Sequence, residues 1–343
     1  MKALKIAEAG RLEVVQVDKP VQDGEHVIIE VSYVGLCGSD LGMWAGGGRF
    51  AGNIIGHEYA GKVIDPGPRD DLKVGDLVTG IPQNYCRDCY YCNKGDTHLC
   101  PETPRRGGPG VSRQGANSPY FAIRADLAMK LSDKLDPKVA ALVEPVSSGY
   151  HGAKLGHIQQ GDKVLIIGGG IIAIMTAWWV KQMGAQTIVM SEINPVRIEH
   201  LKKHSVATQV VNLQEEGVFE QVQKQAGLGF DVVFECSHPT EELFNKTMVP
   251  LVRKGGTIVQ VGAMVGPFTF DFYPFLTKEI RYQSCWSYSE EDFRAAIKAV
   301  EENEADFAKH ITNVISLEQA QDTFVALATG KSKDIKVLID PKL

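Results

Sequence analysis

The segment Val164-Leu-Ile-Ile-Gly-Gly-Gly-Ile-Ile-Ala173 constrains this chain more than any other stretch. Val164 to Ile167 is a short apolar run, as suits a strand buried on both faces of a parallel sheet. Gly168, Gly169 and Gly170 interrupt it, and from Ile171 to Met183 the chain is apolar over a helix's length before Gly184 stops it. Strand, glycine turn and helix form the context in which G-x-G-x-x-G/A has a physical meaning. Gly168 is expected to make the tight turn, Gly170 to let a pyrophosphate approach the backbone, and Ala173 to let the helix lie close to the strand. Free N–H groups and the positive dipole end of the helix then face the phosphates.

A glycine turn alone says little, so its acidic partner matters. Thr187 to Met190 reads as the next strand, and Glu192 follows Ala173 by nineteen residues. A carboxylate there can accept from both ribose hydroxyls of NAD and repels the 2′-phosphate of NADP. Arg197 is close enough in sequence to contact the ribose or a phosphate. NAD is therefore the expected nucleotide.

Further along, Phe230–Cys236 and Gly256–Gly262 are two more buried-strand candidates, with helices expected around 196–204 and 241–252. This alternation predicts a doubly wound parallel sheet with right-handed crossovers. Glu290 to Glu304 has helical periodicity, Ser316 to Thr329 reads as another helix, and Ile335 to Ile339 as a final strand.

The first 145 residues are different. Leu12–Val17, His26–Val34 and Tyr120–Ile123 are strand-like among many glycines and prolines, and the region reads as β-rich and barrel-like. No helix-period segment of useful length is expected before Pro137. Val139 to Pro145 reads as a helical approach to a proline and carries Glu144 among apolar residues. That carboxylate is either a surface group at a helix end or one held near a metal.

Two clusters carry chemistry. Cys37-Gly-Ser-Asp40 and Gly56-His-Glu58 supply a thiol, an imidazole and a carboxylate, which can converge on Zn²⁺ with the fourth position open. Asp40 can accept from a ligating imidazole. The second cluster is the run C-x2-C-x2-C-x7-C formed by Cys86, Cys89, Cys92 and Cys100. Four thiolates can fill a tetrahedral site completely, so a zinc there is structural; an iron–sulfur cluster is the alternative chemistry for such a run. The polar stretch from Pro101 to Pro119 is a loop over the site or a surface segment.

Composition bounds the rest. A net charge of −6 with no basic face excludes nucleic acid as an expected partner. Charge arrives too early for a signal peptide, and no eighteen-residue apolar run exists, so no membrane association is expected. Seven cysteines, five of them in metal-like settings, point to a reducing compartment, hence the cytoplasm, and to metal ligation instead of disulfides.

Taken in chain order, these motifs resemble the zinc-dependent medium-chain dehydrogenase/reductases, in particular the polyol, threonine and butanediol dehydrogenase branch. The carriers are Cys37–Asp40, Gly56–Glu58 with Gly61, the four-cysteine lobe, Glu144-Pro145, the Gly168–Ala173 turn, Glu192, and Lys254–Gly256 before the strand to Gly262. The resemblance implies a GroES-like catalytic domain over 1–147 and 286–343 and a Rossmann NAD-binding domain over 148–285. It implies two zinc ions per chain: a catalytic one on Cys37 and His57 with Glu58 or Glu144, and a structural one on the four cysteines. Ser39 takes the place of the family hydroxyl that contacts the substrate oxygen. The cofactor site is expected to include Gly168, Gly170, Ile171, Ile172, Glu192, Arg197, Val261, Gly262 and Cys285, and the chain to form a homo-oligomer, dimer or tetramer. Two departures stand out. Leu41 and Gly42 occupy the positions of the family's proton-relaying histidines, and Asn117 falls where a residue of the substrate cleft is often apolar.

The expected reaction is hydride transfer between NAD and a secondary alcohol, polyol or sugar-derived, with Ser39 taking the hydroxyl proton and Glu58 or Glu144 moving it onward. A threonine-type or aldehyde/alcohol dehydrogenase shares every motif. A non-enzymatic zinc module is the rival of another class, and it predicts that Cys37 is dispensable.

Overall fold

The computed structural model describes every residue except Ser112, Arg113, Pro239, Met264 and Val265, together with the side chain of Arg49. Two of these fall in the 101–119 loop, so that part of the loop lies outside the described residues. The chain divides into two compact units, Met1–Ser147 with Ser289–Leu343, and Ser148–Tyr288.

The first unit begins with an antiparallel pair, β1 (Lys2–Glu8) and β2 (Arg11–Gln16). Its main sheet uses β3 (His26–Gly35), β4 (Glu58–Asp65), β5 (Leu77–Gly80), β6 (Tyr120–Arg124) and β7 (Ala128–Lys130). In β3 the residues Val27, Ile29 and Val31 fall on one face and pack with Tyr59, Val63, Val78, Phe121 and Ile123. That is the period-two logic of a strand with a buried side.

One expectation fails here. Gly38–Gly46 is a nine-residue helix, although no helix was expected before Pro137. Three glycines depress its intrinsic propensity. Tertiary packing overrides them: Met43 and Trp44 are buried, and Trp44 meets Phe324 edge-on at 6.0 Å. Asp40 closes the first turn, its Oδ2 accepting from the Cys37 N–H at 3.0 Å. The reading of Pro145 is also corrected. It lies in the first turn of the helix Val143–Leu155 and does not end one. An early proline lacks only an N–H that has no intrahelical partner anyway.

The second unit is a parallel sheet built from β8 (Lys163–Ile167), β9 (Thr187–Ser191), β10 (Gln209–Val211), β11 (Phe230–Glu235), β12 (Val252–Gln260) and β13 (Arg281–Ser284). The strand order is β10-β9-β8-β11-β12-β13 with every pairing parallel, the doubly wound arrangement expected. Strand order reverses between β8 and β11. Leu165, Val233, Ile258 and Met248 share the core beneath. The helical stretch expected near 241–252 is present but contains a π-helical turn, Phe244–Met248.

The chain returns to the first unit through the helix Glu290–Glu302 and the strands β14 (Ile311–Ile315) and β15 (Lys336–Ile339). β15 pairs antiparallel with the end of β3, setting Leu338 opposite Gly35. Residues at the end of the chain are thereby laid beside the first metal-ligand cluster.

Candidate active site

Register explains how the first cluster forms. β3 ends at Gly35, which pairs with Glu58 at the start of β4, so Cys37 just beyond one strand meets His57 just before the other. Ligand atoms of Cys37, His57 and Glu58 lie within 4.8 Å of one another. His57 Nδ1 faces Asp40 Oδ1 at 3.4 Å, which leaves Nε2 for a metal. Ser39 Oγ is 3.4 Å from that Nε2. Burial opposes charge on His57, but Asp40 and Cys37 outweigh it and raise its pKa well above the usual histidine range. One thiol, one imidazole and one carboxylate are the donor set of an open zinc site.

Glu58 brings a partner that the sequence reading overlooked. Its Oε2 pairs with Lys336 Nζ, and both residues are almost wholly buried, at 0% and 1% exposure. Lys336 also donates to the Leu36 carbonyl at 2.8 Å. Gly35 makes room, since a side chain there would collide with Glu58 and Lys336. Glu58 Oε1 has no hydrogen-bond partner, so one carboxylate oxygen is tied down and the other remains for a metal. The signal was available: a lysine inside the apolar run Ile335–Ile339.

Glu144 is buried in the first turn of its helix but is not among the three clustered ligands. Asn117 is fully buried against Gly56, and neither of its amide atoms has a hydrogen-bond partner.

The four cysteines form a second ligand cluster, again with all sulfurs within 4.8 Å. Arg87 adopts φ 66°, a left-handed turn that directs the N–H groups of Asp88 and Cys89 at Cys86 Sγ, at 3.5 and 3.3 Å. Arg87 is held there by Asp126 and Glu290. Burial pushes Cys92 up to about 12, helped by its neighbouring thiols. Burial also opposes ionisation of Cys100, but N–H donors from Cys86 and Glu102 overcome it and draw the thiol down to about 6. Four sulfurs this close cannot all ionise without a cation, which is the requirement of a closed zinc site.

In the second unit Gly168 has φ 108°, a left-handed conformation that favours glycine, and a Cβ there would stand 3.0 Å from the Cys236 carbonyl. At Gly170 a Cβ would meet only Arg197 Nη1, at 3.9 Å, so the approach to the backbone is open. Gly170 caps the helix Ile171–Gln182 without a side-chain bond, leaving N–H groups for an anion. Glu192 is buried at the end of β9. Its Oε1 accepts from the N–H groups of Ile193 and Asn194 at 2.7 and 2.8 Å, and Oε2 faces Arg197 at 3.6 Å. The middle glycine matters as well, because a Cβ on Gly169 would come within 2.8 Å of Glu192 Oε2. Val261 and Gly262 both donate to the Glu235 carbonyl at 2.8 Å, and Cys285 donates to the Gln260 carbonyl at 2.8 Å. A dinucleotide's pyrophosphate fits the helix end, and its ribose fits the acid.

A doubly wound sheet with a dinucleotide turn, together with an open thiol–imidazole–carboxylate site, defines a metal-dependent nicotinamide oxidoreductase. The description "Alcohol dehydrogenase GroES-like domain" matches residues 23–133, and "Zinc-binding dehydrogenase" matches residues 170–302. A sorbitol dehydrogenase of Bacillus subtilis is 30% identical, over 99% of this chain and 97% of its own. An L-threonine 3-dehydrogenase of Shewanella baltica is also 30% identical, over 97% and 98%. A solved structure described as a zinc-binding dehydrogenase, from Sinorhizobium meliloti and bound to NADP, superimposes with a TM-score of 0.87 at 26% identity, over 99% of both chains. The chain belongs to the zinc-dependent medium-chain alcohol dehydrogenase family. Zinc and a nicotinamide dinucleotide are its cofactors and a small alcohol its substrate. Among the described residues, no helix is long and apolar enough to cross a membrane.

Proposed function

We propose that this dehydrogenase interconverts a secondary alcohol of polyol or sugar-derived type and its ketone, with NAD as the preferred nucleotide. The observation that carries the reading is the cluster of Cys37, His57 and Glu58, which has a single sulfur. A site poorer in thiolate and richer in oxygen is harder, and a substrate with adjacent hydroxyls chelates such a metal more readily. The sorbitol dehydrogenase relative supports the same substrate class.

When bound, zinc supplies Lewis acidity to the substrate hydroxyl, and the nicotinamide supplies the hydride acceptor. Cys37, His57 and Glu58 would hold the zinc, and Glu144, buried in the first turn of its helix, is the alternative carboxylate ligand. Asp40 Oδ1, 3.4 Å from His57 Nδ1, favours the tautomer with the proton on that nitrogen. Ser39 would receive the hydroxyl proton, its Oγ lying 3.4 Å from His57 Nε2, one of the ligand atoms that would hold the zinc. Leu41 and Gly42 cannot relay it further, which leaves the route to Ser39 and the carboxylates. Glu192 orients the adenosine ribose, and Arg197, above Gly170, neutralises a phosphate.

The domain division proposed is a zinc catalytic domain over 1–147 and 286–343 and a NAD-binding domain over 148–285, in keeping with the two compact units. The seven free cysteines favour a reducing, cytoplasmic setting. Self-association is supported by β13, whose four residues are exposed at the sheet edge, and by Phe272–Thr277, a helix with no buried residue. An open strand edge is self-complementary across a two-fold axis. Light scattering should give a dimer or tetramer that Tyr282→Lys with Trp286→Lys reduces to smaller species. For the reaction itself, a panel of polyols, simple alcohols and L-threonine should be followed by NADH absorbance. The highest kcat/KM on a vicinal diol supports the proposal, and a preference for threonine or a simple primary alcohol refutes it.

A further inference from the structure

Glu235 ends β11, is 0% exposed, and takes no part in the chemistry described so far. Its carboxylate is nevertheless fully engaged. Oε1 accepts from the Ser237 N–H at 2.8 Å and the Ser237 hydroxyl at 2.5 Å, and Oε2 accepts from Gln260 Nε2 at 2.5 Å. Gln260 Nε2 also donates to the Gly262 carbonyl at 2.8 Å. The Glu235 backbone carbonyl takes the N–H groups of Val261 and Gly262. One residue thus ties the loop after β11 to the loop after β12. Gly262 is required for this, because a side chain there would collide with the carboxylate.

These loops belong to the half of the sheet beyond the switch between β8 and β11. Glu192, at the end of β9, claims the adenosine half, so the nicotinamide half of the cofactor belongs with the loops after β11 and β12. Among the described residues, the hydrogen bonds to the Glu235 carboxylate come from neutral donors, and the cation-capable side chain acting on it is His238. A buried carboxylate without a full counter-charge is costly. Burial accordingly pushes the pKa of Glu235 upward. The oxidised nicotinamide ring carries a positive charge, and the reduced ring does not.

We propose that Glu235 is a positioning residue for the nicotinamide half of the cofactor, and that its negative charge favours the oxidised nucleotide over the reduced one. The inference rests on the NAD reading above. It differs from a purely structural role in one respect: the carboxylate sets the ratio of the two affinities as well as their size.

The test measures Kd for NAD⁺ and for NADH by calorimetry on the zinc-loaded protein. In Glu235→Gln the ratio Kd(NAD⁺)/Kd(NADH) should rise about tenfold, the scale of one unit charge acting through a partly screened interior. Gln260→Lys places an ammonium where the amide now donates to both Glu235 Oε2 and the Gly262 carbonyl, and so neutralises the carboxylate without removing either hydrogen bond. It should raise the ratio in the same direction, and it carries the test alone if Glu235→Gln does not fold. An unchanged ratio in Glu235→Gln, even with both affinities weakened, overturns the proposal. So does a Gln260→Lys variant that folds with the ratio unchanged. Failure of the wild type to bind either nucleotide overturns the cofactor reading itself, and this inference falls with it.

Discussion

Lys336→Met keeps most of the apolar stem of a buried lysine and deletes the ammonium that faces Glu58. Both partners are out of solvent, so the change leaves a carboxylate uncompensated inside the first unit. Removing one member of a buried ion pair costs about 3–5 kcal/mol. For a unit of about two hundred residues each kcal/mol moves Tm by about 2–4 °C, so the metal-free variant should melt about 6–20 °C below metal-free wild type. A divalent cation on Glu58 Oε1 replaces the missing charge, and the zinc-saturated variant should lose much less. The assay is thermal melting by circular dichroism, with the labile metal first removed by chelator and then restored. Equal losses with and without zinc would show that Glu58 does not face the metal. No loss in either state would show that the pair carries no weight.

Other consequences follow from the same geometry. Cys89→Ser should remove one zinc and lower Tm while the remaining folded fraction keeps its turnover, which zinc analysis beside kcat will reveal. Glu192→Ala should narrow or invert the preference for NAD over NADP in kcat/KM; a wild type that already prefers NADP would make Arg197 the specificity residue. Burial works against the charges of Asp126 and Glu290, yet hydrogen bonds from Arg124 and Arg87 to the first, and from Tyr85 and Arg294 to the second, hold both below the usual carboxylate range. Their stabilisation is therefore complete above an unfolded carboxylate pKa of about 4 and lost as pH falls through the lower folded values. Tm measured from pH 7 to 3 should fall, and Arg87→Met should flatten that dependence.

What could be read in advance follows from how local each cause is. The parallel sheet was legible because β8, β11 and β12 each contain a short buried run of branched or aromatic apolar residues, Val164–Ile167, Val232–Phe234 and Ile258–Val259. The dinucleotide turn was legible because one short segment contains its whole logic, down to the left-handed Gly168 and the open approach at Gly170. The helix Gly38–Gly46 was missed because its three glycines argue against it locally. What stabilises it is Trp44 against Phe324, a contact between residues far apart in sequence. Pro145 was misread because a proline in a first turn and a proline after a last turn look alike without the helix in hand. Lys336 went unnoticed because its partner is Glu58, and only the pairing of β15 with β3 brings the two together. The sequence alone left the two glutamates as equal rivals, and the register of Gly35 with Glu58 favours Glu58 in the cluster.

The central claim is that Cys37, His57 and Glu58 hold a catalytic zinc distinct from the four-cysteine one. The most direct measurement is zinc content and NAD-linked alcohol oxidation on the same preparations of wild type and Cys37→Ser. The account predicts two zinc ions per wild-type chain and one per Cys37→Ser chain, with the fold retained and activity abolished. A Cys37→Ser protein that keeps both zinc ions, or that loses one and still oxidises the alcohol, would contradict it.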